Sequence, residues 1–306
     1  MGSFHCPLSI KEYKAEGCID CGLCQAKDMK ESLEASKKME EYLRSVRDDS
    51  DTRPVSKICI TGKGGVGKST VSSVFARIFA DKGYEVLVID TDESNPSLYR
   101  KLGMEKEPKE LITFLDRYNL EYGIPEDTWL SKDDILFEDI PDEFVERDGN
   151  ILLMETGKIR NSFQGCACSM ADFARQLMKN LRPVHRQVVI ADLEAGVESF
   201  GRGIEQGADT IITLTETSYD SVRLAEQIKR MANAIGIRRV YTLFNRIPDE
   251  DTKKMIEAAK KEYDINHIGT LDYEKSVMES GFNGSPVPGD SECYRTIEKL
   301  IIFEEE

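Results

Sequence analysis

The chain has 306 residues, 40% hydrophobic and 32% charged, which is a globular composition long enough for one large or two smaller domains. A formal net charge of −15 argues against the clustered Lys and Arg of a nucleic-acid binder and against a basic membrane-surface helix. No run approaches the roughly 18 apolar residues of a membrane span and no secretory leader is read, so a cytoplasmic protein is expected. In a reducing compartment the eight cysteines read as metal or catalytic sites before disulfides.

In chain order, residues 1 to about 27 are cysteine-rich and loop-like. Residues 28–47 read as an amphipathic helix with Met29, Leu33, Met39, Leu43 and Val46 on one stripe. The acidic stretch 48–56, broken by Pro54, reads as a linker. Beyond it, apolar strand-like runs at 57–61, 86–90, 151–155, 188–192, 210–215, 240–245 and 266–271 alternate with helical patterns. The clearest of these are 68–82, 170–181, 219–236 and 250–263. That alternation predicts an α/β fold, a mainly parallel sheet with helices on both faces. The expected division is a cysteine-rich extension over 1–54 and one nucleotide-binding domain over 55–306. Residues 119–150 hold eleven Asp or Glu against Lys132 and Arg147, and read as a solvated insertion or a docking face.

The cysteines fall into groups. Cys18, Cys21 and Cys24 form C-x2-C-x2-C, the spacing of ferredoxin ligands. Asp28 stands where the usual fourth ligand would be, and Cys6 supplies an upstream thiol instead. A [4Fe–4S] cluster on Cys6, Cys18, Cys21 and Cys24 is expected, with a structural Zn²⁺ on the same residues, or with His5, as the alternative. Cys166 and Cys168 form a C-x-C pair. Cys59, in an apolar run, and the solitary Cys293 read as packing residues.

After the first strand-like run comes Gly62-Lys63-Gly64-Gly65-Val66-Gly67-Lys68-Ser69-Thr70, which is G-x-x-x-x-G-K-S between a strand and a helix. Glycines let successive N–H groups turn toward phosphate oxygens, and the following helix adds its positive end. ATP or ADP with Mg²⁺ is therefore the expected ligand. Lys68 would reach the β- and γ-phosphates and Ser69 would ligate Mg²⁺. Asp192 ends another apolar strand and can hold Mg²⁺ through water. Gly196 could bring its N–H toward the γ-phosphate, making 192–203 a candidate switch loop. Asp90 and Asp92 follow a third strand, and Asp92, just beyond its end, is the better candidate to orient the attacking water.

The loop from Lys63 to Thr70 resembles the deviant Walker A loop of the ATPases that include the nitrogenase iron protein, the Min and Par ATPases and the Mrp/Nbp iron–sulfur carriers. The resemblance implies an ATPase that closes face to face as a homodimer. Lys63 would cross to the partner's nucleotide, Lys68 would be the P-loop lysine and Asp92 the hydrolytic carboxylate. Asn245 matches the adenine-contacting Asn, and Ile268–Asp272, with Leu271 and Asp272, sits where the adenine-side loop lies. Within the family, the stretches Gly165–Cys168, Asp192–Gly203 and Glu216–Val222 resemble the CooC-type ATPases that mature nickel carbon monoxide dehydrogenase. The likeness covers about 57–300 and leaves out the first 55 residues.

That resemblance implies a metallochaperone whose client is carbon monoxide dehydrogenase or a related enzyme. A two-fold dimer would present Cys166 and Cys168 twice, giving four thiolates for Ni²⁺ or Zn²⁺ only while the dimer is closed. An iron–sulfur carrier of the Mrp/Nbp type and an ATP-gated iron–sulfur reductase are the alternatives. A Min- or Par-like positioning protein would leave both cysteine sites unexplained.

Overall fold

The computed structural model describes residues 18–46, 55–94, 97–118, 124–158 and 168–301. Among these described residues eight strands form one sheet in the order β3-β4-β2-β5-β1-β6-β7-β8. They are β1 (Lys57–Gly62), β2 (Glu85–Asp90), β3 (Glu146–Asp148), β4 (Ile151–Glu155), β5 (Gln187–Asp192), β6 (Thr210–Thr215), β7 (Arg239–Ile247) and β8 (His267–Asp272). All neighbours pair parallel except β3, which runs antiparallel to β4. The expected mainly parallel α/β sheet is present.

The helices are α1 (Met29–Val46), α2 (Lys68–Asp81), α3 (Leu98–Lys101), α4 (Thr113–Asp116), α5 (Cys168–Asn180), α6 (Glu198–Arg202), α7 (Tyr219–Ala234), α8 (Glu250–Glu262), α9 (Lys275–Asn283) and α10 (Glu292–Leu300). Strand residues alternate between two cores, as parallel strands buried on both faces must. Leu87 and Ile89 of β2 and Val189 and Ala191 of β5 meet Phe173, Ala174 and Leu177 of α5 and Ile228 of α7. Val86, Val88, Val188 and Ile190 meet Val71, Phe75 and Ile78 of α2 and Ile297 of α10. Cys59 lies in the first core and Cys293 in the second, both as packing residues, and burial pushes the Cys293 thiol up to about 12.

Two expectations are corrected. The acidic insertion is not wholly solvated: Leu130, Ile135, Phe137, Ile140 and Phe144 enter the first core while the charges stay outside. Phe144 stands edge-on to Phe114 at 5.7 Å and beside Trp129. Its isolated apolar residues follow no regular period because short 3₁₀ turns carry them. In α1 the buried face is Ala35 and Met39, packed with Ile19, Cys21, Leu23, Tyr42 and Leu43. Met29 and Leu33 sit roughly a third of a turn away and are exposed. This small cluster meets the sheet domain where the Arg44 guanidinium donates to Ala234 O at 3.2 Å, at the end of α7.

Helix starts separate structural ends from an open one. Ser218, Asp249 and Ser291 cap α7, α8 and α10 by accepting from Ser221, Thr252 and Tyr294 N–H groups. At α2 the N-cap is Gly67, which has no side chain to accept. The first-turn N–H groups of α2 are therefore left for a ligand at the carboxyl edge of the sheet.

Candidate functional site

The loop between β1 and α2 can be built only with glycine at its ends. Gly62 has φ 144°, and a Cβ there would stand 2.3 Å from Leu214 O. Gly67 has φ 100°, and a Cβ would stand 2.7 Å from Asn245 Nδ2. The loop is braced from β7: Asn245 Nδ2 donates to Val66 O at 2.7 Å and Arg246 Nη1 donates to Gly65 O at 2.8 Å. Arg246 holds a left-handed backbone, φ 60°, and also pairs with Glu216 at 3.4 Å. Asn245, expected against the adenine, thus has its amide on the loop backbone and its Oδ1 accepting from Arg246 N–H.

Carboxylates arrive from the neighbouring strand ends, where β2 and β5 place Asp90 beside Asp192. Asp192 is fully buried; its Oδ1 accepts from Ser72 Oγ at 3.1 Å, while its Oδ2 has no hydrogen-bond partner among the described residues. Burial raises this carboxyl, and Ser69 and Lys68 pull it back down. A buried, unfilled carboxylate oxygen beside a hydroxyl and an ammonium fits Mg²⁺ or its bound water, which takes hard oxygen donors. Ser69 and Asp192 would hold the ion, and it would shield phosphate charge.

Asp90 and Asp92 are set apart by their partners. Asp90 Oδ2 is 2.6 Å from Lys158 Nζ, both side chains being almost wholly buried. Burial first, then Asp192 and Glu155, push the Asp90 carboxyl up against the pull of Lys158. Lys158 Nζ also donates to Asp92 O at 2.7 Å, and Asp92 N–H donates to Asp90 Oδ1 at 3.0 Å. Asp92 Oδ1 accepts from Ser94 N–H at 3.0 Å and from Ser94 Oγ at 2.5 Å.

A cavity of ≈ 760 Å³ brings together Gly64, Gly65, Gly67, Lys68, Ser69, Thr70, Asp92, Asn245 and Asp272, and runs on to Tyr273, Met278 and Phe282. Other expected residues are placed elsewhere. Leu271 packs into the second core, so only its backbone can face the cavity. Gly196 N–H donates to Gly62 O at 3.1 Å, so it supports the loop. Lys63 is half exposed on the outside, 3.7 Å from Asp220 of α7. Lys101, Lys158, Arg202 and Arg246 were not singled out by motif, and no local spacing marks them. A larger cavity of ≈ 1310 Å³ opens at the other end of the strands, beside Phe75, Phe79 and Tyr84, and none of the expected site residues lines it.

Of the cysteine sites, Cys18 and Cys21 are half-buried and Cys24 is exposed. Left-handed Asp20 (φ 53°) and Gly22 (φ 85°) curl the loop, and Asp20 N–H donates to Cys18 Sγ at 3.4 Å. Among the described residues no three His, Cys, Asp or Glu side chains gather as a metal-holding group. His5, Cys6 and Cys166 lie outside the described residues, and Cys168 opens α5.

Residues 57–287 match the CobQ/CobB/MinD/ParA nucleotide-binding domain. The chain belongs to this family. The CobQ/CobB/MinD/ParA match begins at β1 and leaves α1 outside it. An uncharacterized ATP-binding protein of Methanocaldococcus jannaschii is 37% identical over 251 residues, 80% of this chain and 99% of that one. The carbon monoxide dehydrogenase accessory protein CooC of Rhodospirillum rubrum is 28% identical over 228 residues, 72% of this chain and 85% of that one. The septum site-determining protein MinD of Pyrococcus horikoshii, solved with Mg-ADP, has the same fold, with a TM-score of 0.61 at 15% identity over 80% of this chain and 93% of that one. As a member of this P-loop ATPase family the chain is a nucleotide-binding protein. No helix among the described residues is long and apolar enough to cross a membrane.

Proposed function

We propose that this protein is a cytoplasmic ATPase that closes as a homodimer on ATP and loads metal into a client enzyme. Its client class is carbon monoxide dehydrogenase or a related metalloenzyme. The observation that carries the reading is the likeness to CooC over most of both chains, joined to a C-x-C pair at Cys166 and Cys168. Residues 55–306 form the ATPase unit, and residues 1–54 form a cysteine-rich extension that holds a [4Fe–4S] cluster on Cys6, Cys18, Cys21 and Cys24.

In hydrolysis the N–H groups of the loop and of the α2 start bind the phosphates, and Lys68 stabilises charge that builds on the leaving oxygens. Asp92 orients the attacking water. Lys63, outside the cavity of its own chain, supplies charge to the partner's nucleotide. Cys166 and Cys168 of two closed chains give four thiolates, so metal affinity is linked to nucleotide state.

The test is metal content under anaerobic conditions, with and without ATP. About four irons per chain, plus a nickel or zinc shared by two chains and lost in Cys168→Ala, support the proposal. Iron in excess of one cluster per chain, again lost in Cys168→Ala, would replace it with a cluster-carrier function. If Cys166→Ala changes neither metal content nor ATP-dependent dimerisation, the interface site is wrong.

A further inference from the structure

Among the described residues, Lys68, Lys101 and Arg246 are the cations that line the nucleotide cavity. Two are accounted for. Lys68 is the loop lysine at the start of α2. The Arg246 guanidinium is taken up by Gly65 O at 2.8 Å and Glu216 at 3.4 Å. Lys101 ends α3, the short helix that follows β2, and no motif explains it.

The Lys101 ammonium donates to Ser97 Oγ at 3.1 Å. Among the described residues no carboxylate stands within ion-pair distance of it. An ammonium has three donors, so two remain for a ligand. The carboxylates nearby are held by other cations. Lys158 takes Asp90 at 2.6 Å, and Arg202 takes Glu194, on the cavity wall, together with Glu93, each at 3.0 Å. Burial lowers the Lys101 ammonium while the charges of Asp192 and Asp90 raise it, so it lies in the field of both strand ends. A cation drawn partly out of water and left without a counter-charge favours an anionic ligand.

The fold decides which part of the nucleotide it meets. Leu98 and Leu102 enter the second core with Val71 and Phe75, which packs α3 against α2. Lys101 thus reaches the cavity from the β2 side, with Asp92 and Ser94. Asn245 and Arg246 enter from β7, on the other side of β1.

We propose that Lys101 is a ligand of the terminal phosphate, brought to the cavity by α3, and that it lets the site tell ATP from ADP. This rests on the reading that ATP lies in the cavity with its γ-phosphate beside Asp92. The loop N–H groups and Lys68 meet the β-phosphate whichever nucleotide is bound. A γ-phosphate adds negative charge near Asp92 and Asp192, which repel it. An ammonium from outside the loop offsets that repulsion, and ADP gives it nothing to offset.

The test is calorimetry of the full chain with Mg²⁺ and either ADP or the non-hydrolysable ATP analogue AMPPNP, at a concentration where sedimentation shows monomers. Lys101→Gln is expected to weaken AMPPNP about thirtyfold, as loss of a hydrogen bond between charged groups does, and ADP less than about twofold. Lys101→Arg is expected to recover most of the AMPPNP affinity. Acetylation of the parent reads the same contact without a substitution, and it carries the test if Lys101→Gln does not fold. Lys101 should be protected by AMPPNP and not by ADP, while Lys254, exposed on α8, reacts alike with both. Equal losses for the two nucleotides in Lys101→Gln, no loss for either, or a Lys101 that reacts alike with both, overturn the γ-phosphate role and leave the ATP reading standing. A parent that binds neither nucleotide overturns the ATP reading, and the role of Lys101 with it.

Discussion

Lys158 and Asp90 form a buried ion pair of 2.6 Å at the carboxyl edge of the sheet, and the same ammonium holds Asp92 O at 2.7 Å. One cation therefore supports both a strand end and the loop that carries the candidate hydrolytic residue. Removing one partner of a buried pair costs about 3 kcal/mol because the other charge is stranded. Lys158→Met is expected to lose about that much in urea unfolding, and Lys158→Met with Asp90→Asn to recover most of it. The loss should grow with pH, since a protonated Asp90 needs no counter-charge; an unchanged midpoint at pH 8.5 would contradict this.

Asp92→Asn is expected to lower ATP turnover at least about a hundredfold while ATP-induced dimers persist. The amide keeps an oxygen for the two Ser94 bonds, so the loop should hold its shape. Phosphate release and light scattering read the two effects. A variant that turns over at the parent rate removes Asp92 from the chemistry.

Lys63→Ala is expected to weaken dimerisation more than nucleotide binding. Its 3.7 Å pair with Asp220 is exposed on both sides and adds little to stability. Sedimentation with ATP should show the loss, and calorimetry with ADP should not. Equal losses in both would place Lys63 on its own chain's nucleotide.

Glu205 is fully buried, with no hydrogen-bond partner for either carboxylate oxygen among the described residues. Burial pushes its carboxyl up to about 7 from 4.5, with nearby Ser199 opposing. Between those values the folded chain holds a proton that the unfolded chain releases, so this group's contribution to stability falls as pH rises from about 4.5 to about 7. Glu205→Gln is expected to be more stable than the parent at pH 8, by up to ~3 kcal/mol, and nearly equal to it at pH 5. Parallel melting curves at both pH values would refute the buried charge.

Seven of the strands were readable within two residues because they carry apolar runs, which in β1, β2, β4, β5 and β6 are buried on both faces; β7 and β8, nearer the sheet edge, are only partly buried. The eighth, β3, is Glu146-Arg147-Asp148 and has no apolar residue to betray it. The phosphate loop was readable because its chemistry is contiguous, from Gly62 to Thr70. Lys158 and Arg202 were not, since an ion pair between residues 68 apart, as Asp90 and Lys158 are, leaves no spacing in the sequence. Nor did period alone choose the buried side of α1: Met29 and Leu33 are as apolar as Met39, but only the latter side meets the loop around Leu23.

At one margin of the sheet, β3 presents three charged residues over a single short pairing with β4. Such a margin offers a second chain no ladder of useful length and repels one that tries. Assembly by strand addition is closed on this side. Two copies that meet along β3 gain nothing from the sheet, so any pairing of chains on that side has to come from side chains alone.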